Sequence, residues 1–296
     1  MRVFVTGATG WVGSAVVADL IAAGHKVIGL ARSEQSAGAL AAAGAQVVRG
    51  AVEDLEVLRA AAARADAVIH TAFNHDWSRF AENCAADRAA IETLGAALEG
   101  TDKPLVVTSG VALLSPGRMA TEEAAAPPVT ENFPRASEAV AEALKARGIR
   151  ACAARLAPSV HGVGDHGFVP RLAGIARDKG VSAYIGDGQN RWPAVHRRDA
   201  ARLFLLALDR PEAGPFHAVA EEGVALKDIA EAIGRRFDLP VASVTAEDAQ
   251  AQFGWFAPFV GLDAPTSSAR TRESLDWHPT ERGLLADLAD PAYFVD

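Results

Sequence analysis

Through the first half of the chain, short runs of β-branched and apolar residues alternate with amphipathic or alanine-rich stretches. "RVFVTG" precedes a helical pattern near 11–23, "HKVIGLA" one near 34–43, "AQVVRG" one near 54–64 and "ADAVIHTA" one near 78–99. "KPLVVTSG" follows, then a Pro-containing loop, a helical pattern near 135–147 and the strand-like "IRACAARLAPSV". Nearly unbroken apolar strands, each separated from the next by one helix, are what a parallel sheet covered on both faces requires. The expected class is therefore α/β, a doubly wound parallel sheet.

Beyond residue 157 this rhythm gives way to Gly- and Pro-punctuated loops, with helical patterns near 168–179, 197–209, 225–237 and 281–289. The expected division is a dinucleotide-type sheet domain over 1–156, receiving strands from later segments, and a smaller C-terminal substrate-binding cap mainly over 157–296. No fixed repeat and no low-complexity linker separates the two parts.

Composition narrows the partners. Half of the 296 residues are hydrophobic, 22% are charged and the formal net charge is −8. Without a basic run to neutralise phosphates, nucleic acid is excluded as the main partner. No apolar stretch is long enough for a bilayer and no leader precedes "RVFVTG", so the expectation is a cytoplasmic protein with no membrane partner. The two cysteines, Cys84 and Cys152, lie far apart without CxxC spacing and read as reduced thiols.

The strongest motif is "TGATGWVG", residues 6–13, directly after one predicted strand and opening a helix. Gly7 allows the tight turn, Gly10 the backbone approach of a pyrophosphate, and Gly13 close packing of helix on strand. Thr9, Trp11 and Val12 complete the loop, whose free N–H groups face the phosphate charge. This makes the expected sheet a Rossmann sheet. Where an NAD site carries Asp or Glu to hold the ribose, the second strand ends "GLARSEQ" with Arg32 and Ser33. A guanidinium there suits a 2′-phosphate, so the expected cofactor is NADP(H).

From here the chain resembles the short-chain dehydrogenase/reductases, in their extended and atypical, NAD-dependent epimerase/dehydratase-like form, over nearly its whole length. "VIHTAF" (68–73) is similar to the fourth-strand segment beneath the cofactor, and "VVTSG" (106–110) to the strand end carrying the active-site serine. "ARLAPSVHG" (154–162) resembles the loop at the nicotinamide, "VHRRDAARL" (195–203) a substrate-domain helix start, and "LDWHPT" (275–280) a penultimate motif. The resemblance implies cofactor contacts from Val52, Thr71, Ala72, Phe73, Thr108, Pro158, Ser159, Val160 and His161, and implies that Ser109 holds the substrate carbonyl. It also implies a homodimer through two sheet-flanking helices.

The same resemblance places the catalytic Tyr-x-x-x-Lys on "PRASE", with Pro134 at the tyrosine and Glu138 at the lysine. Neither can move a proton as that pair does. Two readings stand side by side. In one, Pro134 and Glu138 merely begin a helix, in its first turn and at its positive end. In the other, Arg135 has taken over as an electrostatic partner for an oxyanion or a ribose hydroxyl. His75, in "TAFNHDWSRF", is a further candidate proton source at the edge where such sheets bind ligands. "HGVGDHG" holds His161, Asp165 and His166, but lacks the helical spacing of a zinc motif, and no metal is expected.

The candidate substrate residues are Asn74, Trp77, Tyr184, Trp192 and Trp255, with Phe253, Phe256 and Phe259 beside them. The resulting expectation is an NADP(H)-dependent reductase that transfers hydride to a small apolar or aromatic carbonyl, imine or activated alkene. The alternatives are a non-catalytic NADP(H)-binding sensor and a sugar-nucleotide epimerase or dehydratase.

Overall fold

The computed structural model describes residues 1–294. Twelve strands run in chain order as β1 (Arg2–Thr6), β2 (Lys26–Ala31), β3 (Gln46–Arg49), β4 (Ala67–His70), β5 (Leu105–Gly110), β6 (Ala151–Leu156), β7 (Ser159–His161), β8 (Ser182–Ile185), β9 (Arg191–His196), β10 (Phe216–Ala218), β11 (Glu221–Ala225) and β12 (Val241–Val244). The principal helices are α1 (Trp11–Ala22), α2 (Glu34–Ala42), α3 (Leu55–Arg64), α4 (Phe80–Ala96), α5 (Ser137–Ala146), α6 (Phe168–Lys179), α7 (Arg197–Ala207) and α8 (Leu226–Phe237).

Seven strands form one sheet in the order β10-β6-β5-β4-β1-β2-β3, and every pairing in it is parallel. Strand β1 pairs with β2 through Val3 and Val27 and with β4 through Val3 and Ala67. The order of connection reverses between β1 and β4, so the carboxyl ends of these strands open the crevice in which such sheets bind ligands. One face is closed by α1, α2 and α7 through Val16, Leu20, Leu40, Leu203 and Phe204. The other is closed by α3, α4 and α5 through Leu58, Ile91, Leu94, Val140 and Leu144. Both faces of the sheet are thus dry, which explains its unbroken apolar strands.

The cap has a third core of its own, around Trp192, Leu226, Ile233, Phe256 and Tyr293. It is built on the three-stranded sheet β11-β9-β7 and the two-stranded sheet β12-β8. The border at 157 is interleaved: β10 pairs with β6 as the outermost strand of the large sheet, and α7 and Trp277 belong to that sheet's core. Short helices at Ala249–Phe253, Ala257–Val260 and Ala269–Leu275 are additions to the expected pattern, too brief to show a periodicity. Among the described residues no helix is long and apolar enough to cross a membrane.

The start of α5 differs from expectation. Pro134 precedes the cap residue Ala136, and the helix begins at Ser137, with Val140 N–H donating to the Ala136 carbonyl. Glu138 in the first turn does not face the crevice. Its carboxylate is buried against Arg155 of β6, accepting from Arg155 Nε at 2.9 and 3.0 Å, and from Nη2 as well. Arg155 also donates to the Ala124 carbonyl at 2.8 Å and meets His217 Nε2 at 3.1 Å. Breaking such a pair strands a buried charge, at a cost of about 3–5 kcal/mol. Urea unfolding of Glu138→Ala is expected to show a loss on that scale, and Glu138→Lys, which sets two cations together, a loss at least as large.

Candidate active site

Strand β1 ends at Thr6, and the chain turns at Gly7 with a φ of +64°. A Cβ at Gly7 would lie 2.6 Å from the Ala72 nitrogen, and one at Gly13 only 2.1 Å from the Gly7 carbonyl oxygen. Both are closer than carbon atoms come, so the loop takes this path only with glycine. Gly10 N–H donates to the Gly7 carbonyl at 2.8 Å, and Thr71 Oγ1 donates to the Thr6 carbonyl at 2.8 Å, which seats Thr71 and Ala72 beneath the loop. Gly10 caps α1 without any side-chain hydrogen bond, and no acidic residue stands in the first turn. The first N–H groups of α1 and its positive dipole end are therefore left for an anion. Thr9 is exposed and Val12 half-buried at this edge. The Trp11 indole donates to the Val160 carbonyl at 2.7 Å, clasping the segment after β6, and the Arg197 guanidinium lies 4.4 Å over its ring.

At the end of β2, Arg32 is exposed and, among the described residues, unpaired. Ser33 caps α2, its Oγ accepting from Ser36 N–H at 3.1 Å. Arg49, unnoticed in the sequence, donates to the carbonyl of Ser33, the residue after Arg32, at 2.7 Å and pairs with Glu34. Val52 is half-buried against the lower core.

Beneath the crevice runs a buried polar chain. Thr6 Oγ1 and His70 Nδ1 are 2.8 Å apart, His70 Nε2 and Asp87 Oδ1 3.1 Å, and Ser137 Oγ donates to Asp87 Oδ2 at 2.6 Å. Arg135 Nε donates to Ser137 Oγ at 3.1 Å. Because the carboxylate accepts, the His70 proton sits on Nε2 and its Nδ1 accepts from Thr6, so every member is satisfied. His70 and Asp87 sat in the sequence inside a strand and a helix, and only their meeting across 17 positions marks them. Thr108 Oγ1 donates to the His70 carbonyl at 2.9 Å, and its own carbonyl accepts from Arg135 Nη2 at 3.5 Å. Ser109, next along β5 and opposite Arg155 in the ladder, is half-buried, and its hydroxyl makes no hydrogen bond among the described residues.

The Arg135 guanidinium lies 4.3 Å over the Phe73 ring, which places Phe73 in a wall of aromatics. Phe73 meets His75 and Phe80 edge to face, Trp77 stacks on Phe80 at 5.3 Å, and Trp77 reaches Trp255 at 6.4 Å and Phe259 at 6.0 Å. This wall joins the β4–α4 segment to the cap. Trp77 and Trp255 remain 43% and 50% exposed, enough to receive a ligand. Asn74 accepts from Asp76 N–H at 3.0 Å and shapes the loop locally. His75 is held below the usual histidine range, first by burial, then by Arg135 and His166. His166, weighed in the sequence only as a metal ligand, meets the Trp11 ring of the glycine loop edge to face at 5.5 Å.

Three expected residues lie elsewhere. Trp192 has no exposed surface, is packed on Phe168 and Phe256, and donates to the Phe259 carbonyl, so it is cap core and not a substrate wall. Tyr184 sits on β8 with Lys227 over its ring, and among the described residues it makes no ring contact with the aromatic wall. His161 is fully buried, its Nδ1 2.7 Å from Asp287 Oδ2 and its ring against His196, which removes it from cofactor contact. Pro158 is half-buried, and the Ser159 hydroxyl is buried with no partner. Asp165 accepts from the Tyr293 hydroxyl, so "HGVGDHG" sends its three polar side chains to three different neighbours. Among the described residues no cluster of His, Cys, Asp and Glu is able to hold a metal ion.

Residues 3–219 match the model of the NAD dependent epimerase/dehydratase family. The chain is 50% identical to an uncharacterized protein of Schizosaccharomyces pombe, over 99% of this chain and all of that one. It is 29% identical to 4-hydroxy-2-methyl-3-oxo-4-farnesyl-3,4-dihydroquinoline-1-oxide ketoreductase of Stigmatella aurantiaca, over 75% of this chain and 68% of that one. A solved short-chain dehydrogenase/reductase superfamily protein from Agrobacterium tumefaciens with bound NAD shares the fold at a TM-score of 0.75. It is 22% identical, with 99% of this chain and 96% of that one covered.

The crowding at Gly13 leads to a direct expectation. Gly13→Ala should weaken binding of a nicotinamide dinucleotide by more than about tenfold, the scale of one lost hydrogen bond, in a fluorescence titration. Gly174→Ala, where an added Cβ meets nothing within 4 Å, should leave it unchanged.

Proposed function

This chain belongs to the NAD dependent epimerase/dehydratase family, and on that premise we propose that it is an NADP(H)-dependent oxidoreductase reducing a small carbonyl, imine or activated alkene with an apolar or aromatic body. The observation that carries the reading is the continuity of one sheet edge: the glycine cradle and uncapped α1 lead along β4 and β5 to Ser109, Arg135 and the aromatic wall. The distant ketoreductase relative supports the reaction class. When bound, a nicotinamide dinucleotide supplies the hydride.

This chain's residues do the rest. The α1 amino end holds the pyrophosphate, and Arg32 takes the 2′-phosphate in place of the acidic residue an NAD site uses. Ser109, free of internal partners, donates to the substrate oxygen. Arg135, fixed by Ser137 and Thr108, stabilises negative charge growing on that oxygen; burial lowers its pKa, yet a guanidinium remains a poor acid. The proton comes from His75 on the facing loop. An epimerase or dehydratase is the weaker reading, because the chain's two tyrosines, Tyr184 and Tyr293, both lie in the cap and Glu138 is committed to Arg155.

NADPH oxidation against a panel of aryl ketones, imines and enones tests the reaction, and tight dinucleotide binding without turnover of any would refute it. Arg32→Asp is expected to shift the NADPH to NADH preference by about 10- to 100-fold, the scale of a lost charge-assisted hydrogen bond. Because His75 is shifted below its ordinary value of 6.5, its acid form grows only as pH falls through that lower value. The rate of reduction should climb on acidification with a midpoint below 6.5, and His75→Gln should flatten that rise.

A further inference from the structure

Arg135 is held in place more completely than it is used. Its Nε donates to Ser137 Oγ at 3.1 Å, Nη2 only grazes the Thr108 carbonyl at 3.5 Å, and the plane is braced over Phe73 at 4.3 Å. Nη1 has no hydrogen-bond partner among the described residues. A guanidinium carries five donors in a fixed fork, so most of this one stays open. The carboxylate nearest along the chain of hydrogen bonds, Asp87, is no partner for it, since its two oxygens are taken by His70 and Ser137.

The neighbouring acids are turned aside as well. Asp76 accepts from Ser78 N–H and Oγ, and Asp165 from Tyr293 and Gly167. The groups along the wall are instead basic: His75 and His166 on the two facing loops, and Arg171 lying 5.1 Å over Trp255 at the outer end. The start of α5, immediately after Arg135, has no side-chain cap, and the one carboxylate in its first turn, Glu138, is turned away to Arg155. A half-buried cation with open donors and no carboxylate bonded to it, Asp87 acting only from beyond Ser137, is well suited to a ligand that supplies one.

We propose that the substrate is an aryl oxo acid, its carboxylate forked by Arg135 and its flat body lying along Phe73, Trp77, Trp255 and Phe259. The proposal rests on the oxidoreductase reading and narrows it to one substrate class. The wall supplies the apolar half: its rings offer faces and edges over a span that begins at Arg135 and ends at Arg171. A neutral ketone meets the guanidinium only through its reacting oxygen and leaves the remaining donors unpaired, which sets the discrimination.

The test compares benzoylformate and 3-benzoylpropionate with their methyl esters, which keep the ketone and the ring and remove only the charge. Affinity is read by tryptophan quenching of the protein saturated with NADP⁺, and kcat/KM by NADPH oxidation. At least one acid should exceed its ester by about 10- to 100-fold in both, the scale of a hydrogen bond between charged groups. Arg135→Met should bring that acid down to the level of its ester while dinucleotide affinity and melting temperature hold, and Arg135→Lys should recover part of the difference. Equal affinity for acids and esters in the unaltered protein overturns the proposal, whatever the variant does. So does loss of dinucleotide affinity in Arg135→Met without loss of acid preference, which assigns the guanidinium to a ribose hydroxyl. Turnover of acid and ester alike keeps the oxidoreductase reading and sinks the anion site, whereas preferential acid binding without turnover does the reverse.

Discussion

Asp87 lies on α4 with almost no exposed surface, and each of its oxygens is engaged by a different element. His70, at the end of β4, takes one and is itself bonded to Thr6, the residue before the glycine turn. Ser137, at the start of α5, takes the other and accepts from Arg135. A buried carboxylate costs several kcal/mol unless its hydrogen bonds are complete, so this network has essentially one arrangement. That arrangement sets the glycine cradle and Arg135 at a fixed separation across the crevice. The remainder of the site depends on this spacing, because ligands at the α1 amino end and at Arg135 would have to meet between them.

The second constraint joins the two halves of the chain. Trp77 follows β4 in the sheet domain, whereas Trp255 and Phe259 belong to the cap, and their rings meet over the open crevice. The cap's own core, with Trp192 and Phe256 at its centre, holds those rings at the rim. Apolar contact there has no directional preference, unlike the hydrogen bonds below it. The floor of the crevice is thus rigid and polar, and its wall broad and tolerant of shape. Such a division suits a site that fixes one functional group and accepts varied bodies.

Glu138 is committed to holding the helix on the sheet and not to the crevice. Facing Arg155, it locks α5 to β6 and to the carbonyls of the 122–124 segment. The helix keeps its place on the sheet by this pair, and Arg135, just before it, faces the Phe73 ring at the crevice.

Much of this was legible from residue order alone. Strand and helix periodicity, the glycine spacing after β1 and the arginine at the end of β2 depend on local geometry, and local geometry is written in neighbouring residues. The sequence therefore determined the doubly wound parallel architecture in outline, the cradle for an anion at α1 and the absence of a tyrosine from the start of α5. Only the tertiary structure decided which polar side chains meet. Trp192 and His161 carry the same sequence signature as Trp255 and His75, yet the first two are sealed in the cap and the others stand at the crevice. His70, Asp87 and Ser137 become a network only when β4, α4 and α5 are brought side by side. Burial and hydrogen-bond partnership are properties of distant segments packed together, and no local pattern encodes them.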